Sequence, residues 1–299
     1  LKYKIKNQEF VKMLYDSIII GTGPAGVSAA LNLKILGKNF LWFGSGATSK
    51  KVEAAELVRN YPGLPDISGS GLAEAFKTHA QKMGIAPEHK VVTAIYDLSG
   101  RYAVQAGDGM FESRTIILCT GVVTAKPIAG EENYLGRGVS YCATCDGFLY
   151  KGKTIAVLLF DKSFEHEAEY LATIAQKVYL MPMYKNCEVK AENVEIVMKM
   201  PKEIAGGLKA ERLVFSDGEL CADGIFILRS SISPATLLRG LQTDGGHIVV
   251  DRQCRTNLAG VFAAGDCTGR PYQYVKAAGE GNVAAHAAVD YLAENGGKG

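Results

Sequence analysis

The sequence predicts an α/β protein, and three observations carry that reading. A glycine-rich turn joins an apolar strand to a helix near the N-terminus, and the same strand–helix–strand pattern returns downstream without its glycines. An acidic residue then closes an apolar strand in the final third. The first pattern is "YDSIIIGTGPAGVSAALNLKILGKNFLWFG", which reads as strand, turn, helix and second strand, one βαβ unit. Gly21, Gly23 and Gly26 fit the G-x-G-x-x-G dinucleotide fingerprint. The first glycine permits the tight turn, the second lets the backbone approach a pyrophosphate, and the third packs helix on strand. A phosphate there sits on the free N–H groups and positive dipole end of the helix. The acid that usually ends the second strand and binds a ribose hydroxyl is missing, since that region reads "LWFGSG".

"RTIILCTG" reads as a buried strand closing on glycine, suited to a chain crossing between domains. "TNLAGVFAAGDCTGRPYQYVKAAGEGNVAAHAAVDYL" reads as an apolar strand ending in Gly265 and Asp266, followed by a long alanine-rich helix. Asp266 stands where open α/β sheets bind ligands and is able to accept hydrogen bonds from a sugar-like chain. A helix cap accounts for it equally well.

Laid against itself with an offset of 138 residues, the chain sets Ile20 against Leu158, Ala30 against Ala168, Leu33 against Leu171 and Trp42 against Leu180. "KTIAVLLFDKSFEHEAEYLATIAQKVYLM" is therefore a second βαβ unit, with Leu159, Asp161 and Phe164 at the three glycine positions. Bulky side chains there block backbone approach, and Asp161 puts negative charge where a pyrophosphate would lie. The scaffold is kept and its site lost.

A chain of 299 residues with 47% hydrophobic content has the length of one large or two ordinary domains with real cores. The formal charge of +2 comes from interspersed lysines and acids, so no dominant basic patch marks a nucleic-acid partner. The most apolar region, Ser17 to Leu33, is interrupted by "GTGPAG", so no segment reads as a membrane span. Residues 1–13 lack an apolar signal core, and residues 1–12 read as an extension, with Met13 as the natural start. A cytoplasmic protein is expected.

Of seven cysteines, Cys119, Cys187, Cys221, Cys254 and Cys267 stand alone, as core or surface thiols do. Cys142 and Cys145, in "SYCATCDGF", are three apart, the spacing of a redox-active pair. Half of a zinc site has the same spacing, but no second C-x-x-C or C-x-x-H supplies the other ligands, and no cysteine cluster supports an iron–sulfur centre. Asp146 follows the pair directly, placed to give and take protons in thiolate chemistry.

From Tyr15 onward the chain resembles the low-molecular-weight thioredoxin reductases, through "GTGPAG", "RNYPGLPDISGSGL", "IILCTG", "CATCDGF" and "GVFAAGDCTG" in that order. The resemblance implies two Rossmann-like FAD/NAD(P)-type domains, the second inserted in the first. Residues 1–125 and 246–299 would bind FAD, and residues 126–245 would carry the disulfide on a degenerate nucleotide-binding fold. It also implies a homodimer and a rotation that presents the disulfide alternately to flavin and to thioredoxin. By position, Cys145 faces the flavin, Cys142 attacks the thioredoxin disulfide through a mixed disulfide, and Asp146 manages protons. Gly21, Gly23, Pro24 and Ala25 would hold the FAD pyrophosphate, and Asn60, Gly265, Asp266 and Gln273 would lie near the ribityl chain and isoalloxazine. Phe43, Gly44, Lys51, Thr120, Gly121 and Tyr272 complete the implied cofactor set, and no metal is expected.

The resemblance fails at the second nucleotide site. Besides the lost glycines, Pro182, Met183 and Tyr184 in "VYLMPMYKN" replace the basic cluster that clamps a 2′-phosphate, leaving only Lys185. Tyr272 stands where the family has arginine beside the flavin, so Tyr272 or Tyr274 is placed to stack on the ring or to fill core. These departures resemble the ferredoxin-dependent flavin thioredoxin reductases. A flavin takes electrons singly as well as in pairs, so an iron–sulfur donor can load it without a nucleotide pocket. Lys50 and Lys51 are candidates for attracting an acidic ferredoxin. The alternatives are the same chemistry with another donor, including an unusually bound nicotinamide, and a non-catalytic flavin redox sensor.

Overall fold

The computed structural model describes residues 13–44, 50–107, 109–122, 127–131, 133–229 and 234–295, and for Lys50, Lys51 and Cys145 the backbone alone. The first segment lays down β1 (Leu14–Ile20), α1 (Pro24–Ile35), β2 (Phe40–Gly44), α2 (Lys50–Glu53), α3 (Gly69–Lys82), β3 (Glu88–His89), β4 (Val92–Asp97), β5 (Tyr102–Ala106) and β6 (Gly109–Leu118). The run Ser17–Ile20, with three β-branched isoleucines, is buried throughout, as a strand covered on both faces requires. β1, β2 and β6 pair in parallel, while β4, β5 and the start of β6 form an antiparallel meander.

The second segment adds β7 (Val139–Ser140), α4 (Ala143–Asp146), a 3-10 turn over Gly147–Tyr150, β8 (Thr154–Leu159), α5 (Glu165–Ile174), β9 (Lys177–Pro182) and β10 (Val194–Ile196). It continues through a three-stranded antiparallel sheet of β11 (Glu203–Gly206), β12 (Ala210–Val214) and β13 (Glu219–Cys221) to β14 (Gly224–Leu228). The order β10-β9-β8-β14-β7 is parallel throughout. α5 and its flanking strands fall within a few residues of the positions of α1, β1 and β2 shifted by the sequence offset. The predicted second βαβ unit is thus present.

The chain then returns through α6 (Pro234–Leu237), β15 (Thr243–Asp244) and β16 (His247–Ile248) to β17 (Val261–Ala263) and α7 (Tyr274–Asn295). Leu238 already bridges to Ile95. β17 joins the first sheet by pairing in parallel with Ile116–Leu118, beyond the point where β5 leaves β6. This pairing sets Gly265 and Asp266 beside the carboxyl ends of β1 and β6. α7 lies along α1 so closely that a Cβ on Gly281 would meet the Ala25 carbonyl oxygen at 2.1 Å. An alanine-rich stripe on both helices makes that approach possible.

Candidate functional site

The first glycine turn is built to receive something. Gly21 has φ of +122°, and a Cβ there would meet the Cys119 carbonyl oxygen at 2.1 Å. Its N–H donates to Phe43 O at 2.8 Å, and its carbonyl accepts from Trp42 Nε1 at 2.8 Å. Gly26 is equally enclosed, since a Cβ there would lie 1.9 Å from Gly21 O. Gly23 is different: a Cβ there would point into open space. Gly23 caps α1 with no side-chain hydrogen bond, Pro24 occupies the start, and no acidic residue lies in the first turn. The helix start thus presents free N–H groups and positive dipole to the space beside Gly23, the arrangement a pyrophosphate fits.

Of the other predicted cofactor residues, Gly265 comes against this turn, where a Cβ would lie 3.0 Å from the Ala25 Cβ. Asn60 Nδ2 donates to Gln273 Oε1 at 2.7 Å across 213 residues of sequence. Thr120 has a buried hydroxyl beside the Cys267 thiol with no hydrogen-bond partner of ordinary geometry, and Gly121 turns with φ of +66°. Gly44 lies against Thr22, so that a Cβ would meet the Thr22 methyl at 2.3 Å. The Phe43 ring is buried against Phe111 with centroids 5.1 Å apart, which leaves only its backbone to face a ligand. Gly265, rather than Asp266, holds the capping position of the 3-10 turn Asp266–Thr268, which removes the helix-cap account of Asp266.

Two residues that sequence reasoning missed hold this last turn. Glu280 Oε2 accepts from Gly265 N and Thr268 Oγ1, each at 2.8 Å. Lys276 Nζ donates to Gly265 O, Thr268 Oγ1 and Gly269 O, each at 2.9 Å, and lies 3.1 Å from Glu280. The only hint was their i,i+4 spacing on the final helix.

Tyr272 is partly exposed, its hydroxyl 2.6 Å from His247 Nε2 and its ring under the Arg270 guanidinium at 5.3 Å. Tyr274 packs with Val52, Val58 and Leu72 instead. The side chains of Lys50 and Lys51 lie outside the described residues.

The equivalent crevice of the second unit is filled. Leu159 is wholly buried, and Phe164 packs into the same core as Leu171 and Phe226. Asp161 Oδ1 accepts from Ser163 N at 2.9 Å and Ser163 Oγ at 2.7 Å, capping its own turn. Glu165 opens α5 and accepts from the Tyr184 hydroxyl at 2.8 Å and from Glu188 N at 3.1 Å. Lys162 pairs with Glu188 at 2.9 Å. Burial pushes the Glu165 carboxyl up, but Tyr184, the Glu188 N–H and Lys162 more than offset that and hold it below its ordinary value. The helix start that would bind a nucleotide phosphate therefore already carries an anion.

The redox motif sits where β7 ends. Cys142 is buried and disulfide-bonded. Its Sγ lies 3.5 Å from Thr144 Oγ1 and 3.8 Å from Gly107 O, a carbonyl of the β5–β6 turn. The backbone of Cys145 lies in α4, and its side chain is outside the described residues. Asp146 Oδ2 accepts from Ser140 Oγ at 2.6 Å. Behind the motif, Tyr141 OH donates to Glu131 Oε1 at 2.6 Å and Ile128 N to Glu131 Oε2 at 2.8 Å. Glu131 is fully buried and ion-paired with buried Arg229, whose guanidinium lies over the rings of Tyr141 and Phe160. Nothing in the sequence spacing signalled Ser140, Glu131 or Arg229. Beyond Asp146, Phe148 and Leu149 leave 66% and 52% of their surfaces exposed.

A glycine cradle open to a pyrophosphate and a disulfide on a second parallel sheet define a nucleotide-cofactor disulfide reductase. The chain belongs to the pyridine nucleotide-disulphide oxidoreductases, whose family model matches residues 15–159 and 181–281 and leaves out residues 160–180, which hold Asp161, Phe164 and Glu165. Within that family it groups with the thioredoxin reductases. It is 32% identical over 302 residues to the thioredoxin reductase of Listeria monocytogenes, covering 94% of this chain and 95% of the relative. Two crystal structures of a ferredoxin-flavin thioredoxin reductase from Clostridium acetobutylicum are 45% and 44% identical, with TM-scores of 0.82 and 0.86. Each covers 94% of this chain and 98% of the other. FAD is the cofactor.

Proposed function

We propose that this protein reduces thioredoxin with electrons from reduced ferredoxin, through FAD and the Cys142–Cys145 disulfide. The observation that carries the choice of donor is Glu165, whose carboxylate is tied to Tyr184 and Glu188 at the helix start where a nucleotide phosphate would bind. Similarity to the Clostridium enzyme supports the same choice.

FAD supplies a two-electron store that is filled singly or in pairs. Gly21, Gly23, Pro24 and Ala25 form the pyrophosphate cradle, and Asn60, Thr120, Gly121, Gly265, Asp266 and Gln273 border it. Lys276 and Glu280 fix the turn that carries Asp266. Thr144 offers a hydroxyl to the Cys142 sulfur, a donor that favours a thiolate there. Asp146 holds and releases the protons of thiol–disulfide exchange. Residues 126–245 form the inserted disulfide domain, and Phe148 and Leu149 offer thioredoxin an apolar contact beside the disulfide.

Anaerobic absorbance of the flavin tests the reading. Reduced ferredoxin bleaches it rapidly, NADPH and NADH do not, and the bleached enzyme passes electrons to oxidised thioredoxin. Rapid bleaching by NADPH would overturn the assignment of the donor. Failure to reduce thioredoxin would overturn the catalytic reading as a whole.

A further inference from the structure

Ser140 closes a bracket between the proton-handling acid and the backbone of the redox cysteine. Its Oγ lies 2.6 Å from Asp146 Oδ2, 3.2 Å from Cys142 O and 3.1 Å from Cys142 N, and the residue is buried. A hydroxyl has one proton and two acceptor lone pairs, and here three groups compete for them. With Asp146 ionised, Ser140 O–H donates to Oδ2 and Oγ accepts the Cys142 N–H. With Asp146 protonated, the carboxylic O–H becomes a donor to Oγ, and the Ser140 proton has Cys142 O left as its acceptor. Every group is satisfied in both states, so the hydroxyl turns without leaving a buried polar atom unpaired.

We propose that Ser140 is a positioning residue whose hydroxyl turns between Asp146 and the Cys142 carbonyl, coupling the protonation of Asp146 to the backbone that holds the attacking sulfur. This rests on the reading that Asp146 handles protons. In the exchange, Cys142–SH gives its proton to Asp146, and the thiolate attacks the thioredoxin disulfide. The new S–S bond forms as the old one breaks, and Asp146 returns the proton to the departing thioredoxin thiolate. Cys145–SH then gives its proton to Asp146, and its thiolate attacks the Cys142 sulfur. The enzyme disulfide forms, and the second thioredoxin thiolate takes the proton. Two electrons and two protons pass to thioredoxin, and Asp146 takes up and gives back a proton twice, turning Ser140 each time.

Other ionisable groups also face the bracket. Tyr150 lies beside Asp146 and Asp223, with Lys153 over its ring. Glu167, coupled to His166, accepts the Ala143 N–H from α5, and the Glu131–Arg229 pair lies behind Tyr141. A titration of the wild type alone would mix these groups, so the test compares variants that leave them in place.

The holoenzyme, reduced with dithiothreitol and then freed of it by anaerobic gel filtration, is alkylated with iodoacetamide across a pH series, and modification at Cys142 is followed by mass spectrometry. Asp146→Asn is expected to remove one inflection from the rate–pH profile. Ser140→Ala is expected to displace that inflection, and Ser140→Thr to restore it. Reduction of thioredoxin by the prereduced enzyme is expected to fall about tenfold in Ser140→Ala and to recover in Ser140→Thr. Should alanine fail to fold, Ser140→Val is compared with Ser140→Thr, since the pair share shape and differ in the hydroxyl. A Ser140→Ala profile overlying wild type while Asp146→Asn is shifted would overturn this inference and leave the role of Asp146 standing. An unchanged Asp146→Asn profile would overturn both.

Discussion

The Tyr184 hydroxyl donates to Glu165 Oε1 at 2.8 Å, joining the loop after β9 to the first residue of α5. In a nucleotide-binding βαβ unit these two places hold the two ends of the phosphate site. Here a carboxylate and a phenol have closed it from both sides. Calorimetric titration with NADPH or NADH is therefore expected to show binding weaker than about 1 mM. A micromolar dissociation constant would contradict the closed crevice.

Gly23 and Gly26 sit three residues apart, and alanine at each should act differently. At Gly23 the new Cβ meets nothing, so Gly23→Ala should keep folding stability within about 0.5 kcal/mol while losing FAD from the cradle. At Gly26 the Cβ would lie 1.9 Å from Gly21 O, and Gly26→Ala should cost about 2 kcal/mol or more. Urea melts of the apoprotein, with FAD retention after gel filtration, distinguish the two.

Lys276→Met removes an ammonium that donates to three oxygens of the Gly265–Gly269 turn. The expected cost is about 1.5–3 kcal/mol, from lost charge-assisted hydrogen bonds. Faster FAD release should accompany it, measured by the rise in free-flavin fluorescence on dilution. A variant that keeps FAD as firmly as wild type would show that the staple does not set the cofactor site.

Phe148 and Leu149 are apolar, exposed and adjacent to the redox turn. Phe148→Ala should raise the KM for thioredoxin about tenfold with kcat little changed, because it removes docking area and touches no reacting group. Steady-state kinetics over a thioredoxin series checks the split. A fall in kcat alone would place Phe148 in the chemistry instead.

Burial pushes the Cys254 thiol up to about 12 and the Cys267 thiol up to about 11, from an ordinary 9.0. Above 9.0 the unfolded chain gives up protons that the folded chain keeps, so stability falls as pH rises through each window. In Cys267→Ala the decline between about pH 9 and about pH 11 should be shallower than in wild type, read from urea midpoints at each pH. Parallel curves would show that this thiol does not contribute to the alkaline loss.

The two βαβ units, the glycine cradle and the C-x-x-C motif were legible because each rests on local rules. Strand and helix periodicity, the φ of Gly21 and the spacing of Cys142 and Cys145 all act within a few residues. The loss at Leu159, Asp161 and Phe164 was legible for the same reason, since a Cβ or a charge in a phosphate turn needs no tertiary context. The closure itself was not. Glu165 reads in sequence as an ordinary helix-start acid, and only the return of β9 brings Tyr184 and Glu188 onto it. Likewise the Asn60–Gln273 bond spans 213 residues, and Glu131 meets Tyr141 and Arg229 only because β7 pairs with β14. Sequence by itself determined which nucleotide site kept its backbone freedom and which lost it, because steric and charge limits in a tight turn are local. The tertiary structure decided what fills the lost site and how Arg229 comes to pair with Glu131 behind the redox motif, because contacts between distant segments depend on pairings that no local pattern encodes.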